Sequence, residues 1–171
     1  MTPAGPSAET SPRTVKVSIG EFRVAGAGEQ LVIHGLGSCV ALLLHDPAVK
    51  LSALGHFLLP EAPANRPAVP PARFATTAVP AMVEELRGCG AADERLLAKV
   101  AGAAQMFQYE HKSEAEGIGA RNLRATLEAL ERLQIEVAGS DTGGSYGRTV
   151  VVDAATGRME IRAVRIEHRI L

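Results

Sequence analysis

The stretch GLGSCVALLLHDPAVKLSALGHFLLP, residues 35–60, decides the fold. It opens on a glycine-rich turn, Gly35-Leu36-Gly37-Ser38, and runs through an apolar segment from Cys39 to His45. It then turns at Asp46-Pro47-Ala48-Val49 and returns through a second apolar segment, Lys50 to Leu59. Two apolar runs of strand length around such a turn form a β-hairpin. A four-residue loop built on a type I turn, with Pro after Asp, fixes the expected register. His45 then faces Lys50, and Cys39 faces His56. Facing residues in an antiparallel pair hold their Cβ atoms about 4.5–5.5 Å apart on one face, which lets an imidazole reach a thiol. The expectation rests on register, because a slip of one residue sends the two side chains to opposite faces.

Upstream, residues 1–13 are rich in Ala, Pro, Ser, Thr and Gly and offer no apolar face, the composition of a disordered tail. A single domain is expected over 14–171. Thr14 to Gly20 alternates apolar and polar residues as a half-buried strand does, and Glu29 to His34 is a second short strand. Downstream, Pro60 to Pro71 carries five prolines and is read as a surface loop. Arg73 to Arg87 repeats Phe74, Ala78, Met82 and Leu86 at helical spacing, with Pro80 expected to kink the helix or mark where it becomes regular. Leu96 to Ala104 reads as a strand. Ile118 to Leu133 reads as the strongest helix, with Leu123, Leu127, Leu130 and Leu133 on one stripe. Ile135–Ala138, Arg148–Asp153 and Met159–Ile166 read as strands, the last two joined by Ala154-Ala155-Thr156-Gly157. A second glycine loop spans Gly139 to Gly147. Strands outnumber helices and follow one another in antiparallel runs, so the fold class is α+β.

Composition excludes several functions. The net charge is −1 and the pI about 6.5, without the basic surface that nucleic acid requires. Aromatic residues are 4% of the chain with no Trp, which removes a base-stacking platform. No apolar run approaches the roughly 20 residues of a membrane span. The start lacks a secretory pattern, and two cysteines are too few for a disulfide framework, so a cytoplasmic location is expected.

A Cys–His pair is a nucleophile with its base, since the thiolate is the reactive form and an adjacent imidazolium stabilises it. On that reading Cys39 alkylates faster than Cys89. Gly35-Leu36-Gly37-Ser38 frees the backbone so that its amides can face the oxygen of an attacked carbonyl. Packing is the commoner use of a cysteine that opens an apolar strand, and on the residues alone both readings stand. His34, Cys39, His45 and His56 form a pool of zinc-type ligands, but their spacing fits no metal motif. His111 and His168 read as solvated residues, and Cys89, between Gly88 and Gly90, as a helix-end turn residue. No Walker or GxGxxG pattern appears, so no cofactor is expected.

Several ordered motifs resemble the CheD family of chemoreceptor glutamine deamidases over nearly all of the chain after the tail. They are Gly35-Leu36-Gly37-Ser38-Cys39-Val40-Ala41, Asp46-Pro47, and Gly55-His56-Phe57-Leu58-Leu59-Pro60. Ala98-Lys99-Val100, Gly102-Ala103, Met106-Phe107 and Ile118-Gly119-Ala120-Arg121-Asn122 follow, then Gly143-Gly144, Gly147-Arg148 and Thr156-Gly157. The resemblance implies a layered α/β sandwich with mixed, mostly antiparallel sheets and two main helices, similar to the cytotoxic necrotizing factor catalytic domain. It implies a protein-glutamine glutaminase that hydrolyses glutamine amides on the cytoplasmic helices of methyl-accepting chemotaxis proteins. A CheC-type phosphatase is an expected partner. Cys39 would be the nucleophile and His56 the acid/base, with Gly37, Ser38, Gly143 and Gly144 in the active-site loops and no metal. A catalytically weak binding partner of CheC or a receptor is the alternative. The chain departs from the family pattern at Ile33, where a Thr usually stands six residues before the cysteine. Isoleucine cannot accept a hydrogen bond from the imidazole, which leaves a backbone carbonyl or His34 to orient His56, or activity reduced.

Overall fold

A computed structural model describes residues 11–65, 70–106, 117–164 and 166–171. Residues 1–10 of the expected tail, His111, Phe107 and part of the proline-rich loop lie outside them. The described chain forms β1 (Arg13–Lys16), β2 (Phe22–Ala25), β3 (Glu29–Leu36), β4 (Val40–Asp46) and β5 (Leu51–Phe57), then α1 (Ala75–Gly88) and β6 (Leu97–Gly102). It continues through α2 (Ile118–Arg132), β7 (Glu136–Thr142), β8 (Arg148–Asp153), β9 (Arg158–Ala163) and β10 (Ile166–Ile170). These make two five-stranded sheets, ordered β1-β3-β8-β9-β10 and β2-β5-β4-β6-β7. The pairs β1/β3 and β6/β7 are parallel and the rest antiparallel. The result is the expected α+β class, as three layers of sheet, sheet and helices.

β4 explains the layering. All seven of its residues are buried, because it lies at the middle of its sheet with an apolar layer on each face. Val40, Leu42 and Leu44 face α1 and α2 together with Phe57, Val79, Met82 and Leu86. Ala41 and Leu43 face the other sheet, among Leu31, Ile33, Val150, Val152 and Met159. The far end of the inter-sheet layer is polar. There Ser52 Oγ donates to the Ala154 carbonyl (2.8 Å) and Lys99 Nζ to the Gly157 carbonyl (2.7 Å), tying the β8–β9 turn to the second sheet.

The hairpin register is displaced from the expected one by two residues. His45 pairs with Ser52 and Ala41 with His56, and the loop is Pro47–Lys50. Asp46 belongs to the strand, not the turn, because its carboxylate is anchored from outside. Arg95 Nη2 donates to it at 2.7 Å, and so do the amides of Ala48 and Ala92 at 3.0 Å each. Those bonds hold its carboxyl down at a pKa of about 2.

Other expectations shift for similar reasons. β1 is shorter than the alternation predicts, and Ile19 is 57% exposed in the turn that precedes the unforeseen β2. The predicted Gly139–Gly147 loop gives up Gly139–Thr142 to β7, and the last predicted strand divides into β9 and β10. α1 buries the expected face, Ala78, Val79, Met82, Val83 and Leu86, and runs on through Pro80 on its exposed side. α2 buries only part of its leucine stripe: Leu130 is in the core and Leu123 packs against it. Its buried residues are Gly119, Asn122, Ala125, Thr126, Ala129 and Leu130, while Leu127 and Leu133 are exposed. Small residues win there because the helix seats close against backbone: a Cβ on Gly119 would stand 2.7 Å from the Ala103 carbonyl oxygen.

Candidate active site

Cys39 immediately precedes β4 and His56 is the penultimate residue of β5. In the observed register His56 faces Ala41, which makes Cys39 its diagonal neighbour on the same inter-sheet face. A slip of two residues preserves the face, so Cys39 and His56 share it as diagonal rather than facing residues, with no hydrogen bond between them. Diagonal neighbours lie about 7–8 Å apart at the backbone and somewhat less between Cβ atoms, within reach of an imidazole. Cys39 is 7% exposed and His56 1% exposed.

The electrostatics correct one expectation. Burial pushes the Cys39 thiol up from its ordinary value and pushes the His56 imidazole down. Desolvation penalises both charged forms, so the resting pair is thiol and neutral imidazole, not thiolate and imidazolium. Neither His56 ring nitrogen has a hydrogen-bond partner of normal geometry among the described residues. The Val17 backbone acts on the ring, favouring the protonated form, but more weakly than burial opposes it. Ile33 is fully buried in the same inter-sheet layer and offers no polar atom. His34 is exposed.

The turn before Cys39 is held in one sense. The Gly37 carbonyl accepts from the Ala104 amide (3.0 Å), the Ser38 carbonyl from Asn122 Nδ2 (3.1 Å) and the Cys39 carbonyl from the Ala103 amide (2.8 Å). All three carbonyls are taken, whereas among the described residues the amides of Gly37, Ser38 and Cys39 donate to no protein acceptor. Gly102 makes the close approach possible. Its φ is +100°, and a Cβ there would stand 2.3 Å from the Cys39 carbonyl oxygen. Three free amides beside a thiol are the kind of donor set that stabilises an oxyanion.

A groove of about 480 Å³ opens beside Ser38, walled by Ala104, Gly117, Gly119, Gly143 and Gly144 among others. Its wall includes Ser38, the residue before Cys39, but neither Cys39 nor His56. Of the two glycines expected in the site loop, Gly143 spends its amide on the Gly102 carbonyl (2.8 Å), and the Gly144 carbonyl accepts from Gln105 (2.8 Å). Arg148 holds this loop from beneath. It is buried, donates to Asp141 Oδ1 (2.9 Å) and the Gly143 carbonyl (2.9 Å), and lies 4.1 Å from the Tyr146 ring centroid. Asp141 also accepts from Arg169 (3.0 Å). Sequence reading singles out neither Asn122 nor Arg148 as a site residue. Both stand in the motifs that carry the family resemblance, Ile118-Gly119-Ala120-Arg121-Asn122 and Gly147-Arg148, and Asn122 is also a polar residue on an apolar helix face.

The zinc pool does not converge. Among the described residues no three His, Cys, Asp or Glu side chains group together. His45 lies six strand residues from Cys39, about 20 Å along β4, where its Nδ1 contacts the Leu51 carbonyl (3.0 Å) and Ser52 Oγ (2.9 Å). Cys89 is exposed at the end of α1, as expected. His168 is exposed near Glu160.

Comparison with known proteins extends the geometry. The model described as CheD chemotactic sensory transduction matches residues 58–163. "Probable chemoreceptor glutamine deamidase CheD 3" of Geobacter sulfurreducens is 46% identical over 154 residues, covering 90% of this chain and 95% of its own. This chain belongs to the CheD family. Another member, CheD 2 of Geobacter metallireducens, is 46% identical over 155 residues, 90% of this chain and 95% of its own. The CheD of Syntrophomonas wolfei is 38% identical over 159 residues, 93% and 99% respectively. Alignments of this length necessarily run across Cys39 and His56, although the family model's match begins at Leu58. Among solved structures, Bacillus licheniformis hypothetical protein YfiH superposes with a TM-score of 0.47 over 80% of this chain and 61% of its own, at 12% identity. Among the described residues, no helix is long and apolar enough to cross a membrane.

Proposed function

We propose that this CheD-family chain is a cytoplasmic protein-glutamine glutaminase, acting on glutamine side chains of methyl-accepting chemotaxis proteins through Cys39 and His56. The observation that carries the reading is one juxtaposition. A thiol and an imidazole share a face at the mouth of a turn whose three carbonyls are tied and whose three amides are free.

The chemistry follows from the resting state. Cys39 Sγ attacks the amide carbon while its proton passes to His56, which burial keeps neutral and able to accept it. The amide oxygen becomes an oxyanion and meets the free N–H groups of the Gly37–Cys39 turn. His56 returns the proton to the nitrogen as the C–N bond breaks, releasing ammonia and leaving a thioester. Water then attacks the thioester with His56 as base, giving glutamate and the free thiol.

The competing reading is a binding partner with little catalysis. It is favoured by Ile33 and by the unpartnered His56 ring. Incubation with a receptor cytoplasmic domain, following ammonia release and amide-to-acid conversion by mass spectrometry, separates the two. Activity abolished in C39A and H56A supports the enzyme. A wild type as inert as both variants overturns it in favour of the binding module.

A further inference from the structure

We propose that Asn122 is the positioning residue of the oxyanion-binding turn, and this rests on the deamidase reading above. Its Nδ2 carries two hydrogens, and both are engaged, by the Ser38 carbonyl (3.1 Å) and the Leu58 carbonyl (3.0 Å). Since both partners are acceptors, the orientation of the carboxamide is forced. Its Oδ1 is sealed from solvent without a partner, and the residue is 0% exposed. The fold gains nothing from that oxygen, so the side chain serves through its two donors.

What those donors fix is the direction of a peptide. In a trans peptide unit the carbonyl of one residue and the N–H of the next point opposite ways. Holding the Ser38 carbonyl therefore aims the Cys39 N–H away from α2. By the same geometry Ala104, through the Gly37 carbonyl, aims the Ser38 N–H. The clamps from Ala103 and Ala104 are backbone groups, and Asn122 is the side chain among the three. Its second bond reaches Leu58, two residues past His56, so one carboxamide spans the nucleophile's turn and the end of the base's strand. Gly119, one turn earlier on α2, seats the helix directly on the Ala103 carbonyl.

The test uses a C89S background, in which Cys39 is the remaining thiol. It compares the parent with C39A, N122A, N122S and T126V. Thr126 is buried on the same helix face and donates to the Asn122 carbonyl (2.8 Å), with no bond to Ser38 or Leu58. Three quantities are read: kcat and KM for ammonia release from a receptor domain, the rate of Cys39 alkylation by iodoacetamide, and Tm. Alkylation at a methylene carbon builds no oxyanion, so it reports the thiol without the turn.

The expected result is a kcat reduced about tenfold or more in N122A, approaching the 10²–10³ loss of a deleted oxyanion donor. KM and the alkylation rate stay within about twofold, N122S falls between N122A and the parent, and T126V lowers Tm while keeping kcat. N122S carries the comparison if N122A does not fold. An unchanged kcat in the Asn122 variants overturns the proposal. So does an alkylation rate that falls in step with kcat, or a T126V loss equal to that of N122A. A parent as inert as C39A overturns the deamidase reading itself and the proposal with it.

Discussion

Replacing Gly102 by Ala tests whether the carbonyl side of the Cys39 turn is as tightly held as the distances state. Gly102 sits at φ +100°, where an added Cβ meets the Cys39 carbonyl oxygen at 2.3 Å and Leu36 Cδ2 at 2.9 Å. The backbone conformation alone costs an L-residue about 1–2 kcal/mol. Moving the Cys39 carbonyl away breaks its bond from the Ala103 amide, about 1 kcal/mol, and crowding Leu36 adds about 1–2 kcal/mol. The sum is about 3–5 kcal/mol for G102A. G28A is the control, because Gly28 has φ +82° and nothing within 4 Å of its added Cβ, leaving only the first cost. With a slope of about 2 kcal/mol per molar urea, G102A lowers the unfolding midpoint by roughly 1.5–2.5 M and G28A by roughly 0.5–1 M. Deamidase activity, measured where both remain folded, is lost in G102A and kept in G28A. Equal midpoint shifts, or full activity in G102A, would refute the claim that β6 presses on the Cys39 turn.

Further outcomes follow from the same geometry. Asp46 has its pKa held at about 2 against an ordinary 3.8, so its contribution is complete above about pH 4 and is lost as pH falls from there toward 2. The full shift is worth about 2.4 kcal/mol, reduced to about 1–2 kcal/mol because its partner Arg95 is partly exposed. D46N is therefore less stable than wild type at pH 7 by thermal unfolding, and a gap that fails to narrow below pH 4 contradicts the assignment. Iodoacetamide labels exposed Cys89 before buried Cys39 in the protein without substrate, as peptide mapping would show. Labelling of Cys39 first would mean that its thiolate is stabilised after all. I33T places a hydroxyl in the inter-sheet layer, costing about 1 kcal/mol of packing while offering His56 an acceptor. Activity rises in I33T, and the acid limb of its kcat/KM profile moves to higher pH, because an acceptor favours the imidazolium. A profile identical to wild type would show that residue 33 does not touch the base.

Much of this architecture is legible in the sequence where local chemistry decides it. The hairpin, the buried face of α1 and the Cys39–His56 face all follow from alternation, helical spacing and a turn residue. The register was not legible, because Asp46 is held in the strand by Arg95, 49 residues away. The buried face of α2 is legible at Leu130 and Leu123 but not at its small and polar residues. Leucines at helical spacing imply a core stripe, but the layer against Ala103 is too thin for them and takes Gly119, Asn122 and Thr126 instead. Asn122 and Arg148 stand in the motifs of the family resemblance, but the contacts that bring them to the site are created by tertiary structure.

The tied carbonyls of the Gly37–Cys39 turn also bear on how the chain acquires activity. Their donors come from the two residues after β6 and from α2, with the Ser38 bond closing a span of 84 residues and the Leu58 bond one of 64. A nascent or partly folded chain contains the cysteine without the arrangement on which the proposed chemistry depends. During refolding, activity should therefore return only with the phase that docks α2, after the β4–β5 hairpin has formed, since distant contacts close more slowly than local ones. The thiol is armed last, and recovery of deamidase turnover serves as a clock for completion of the whole domain.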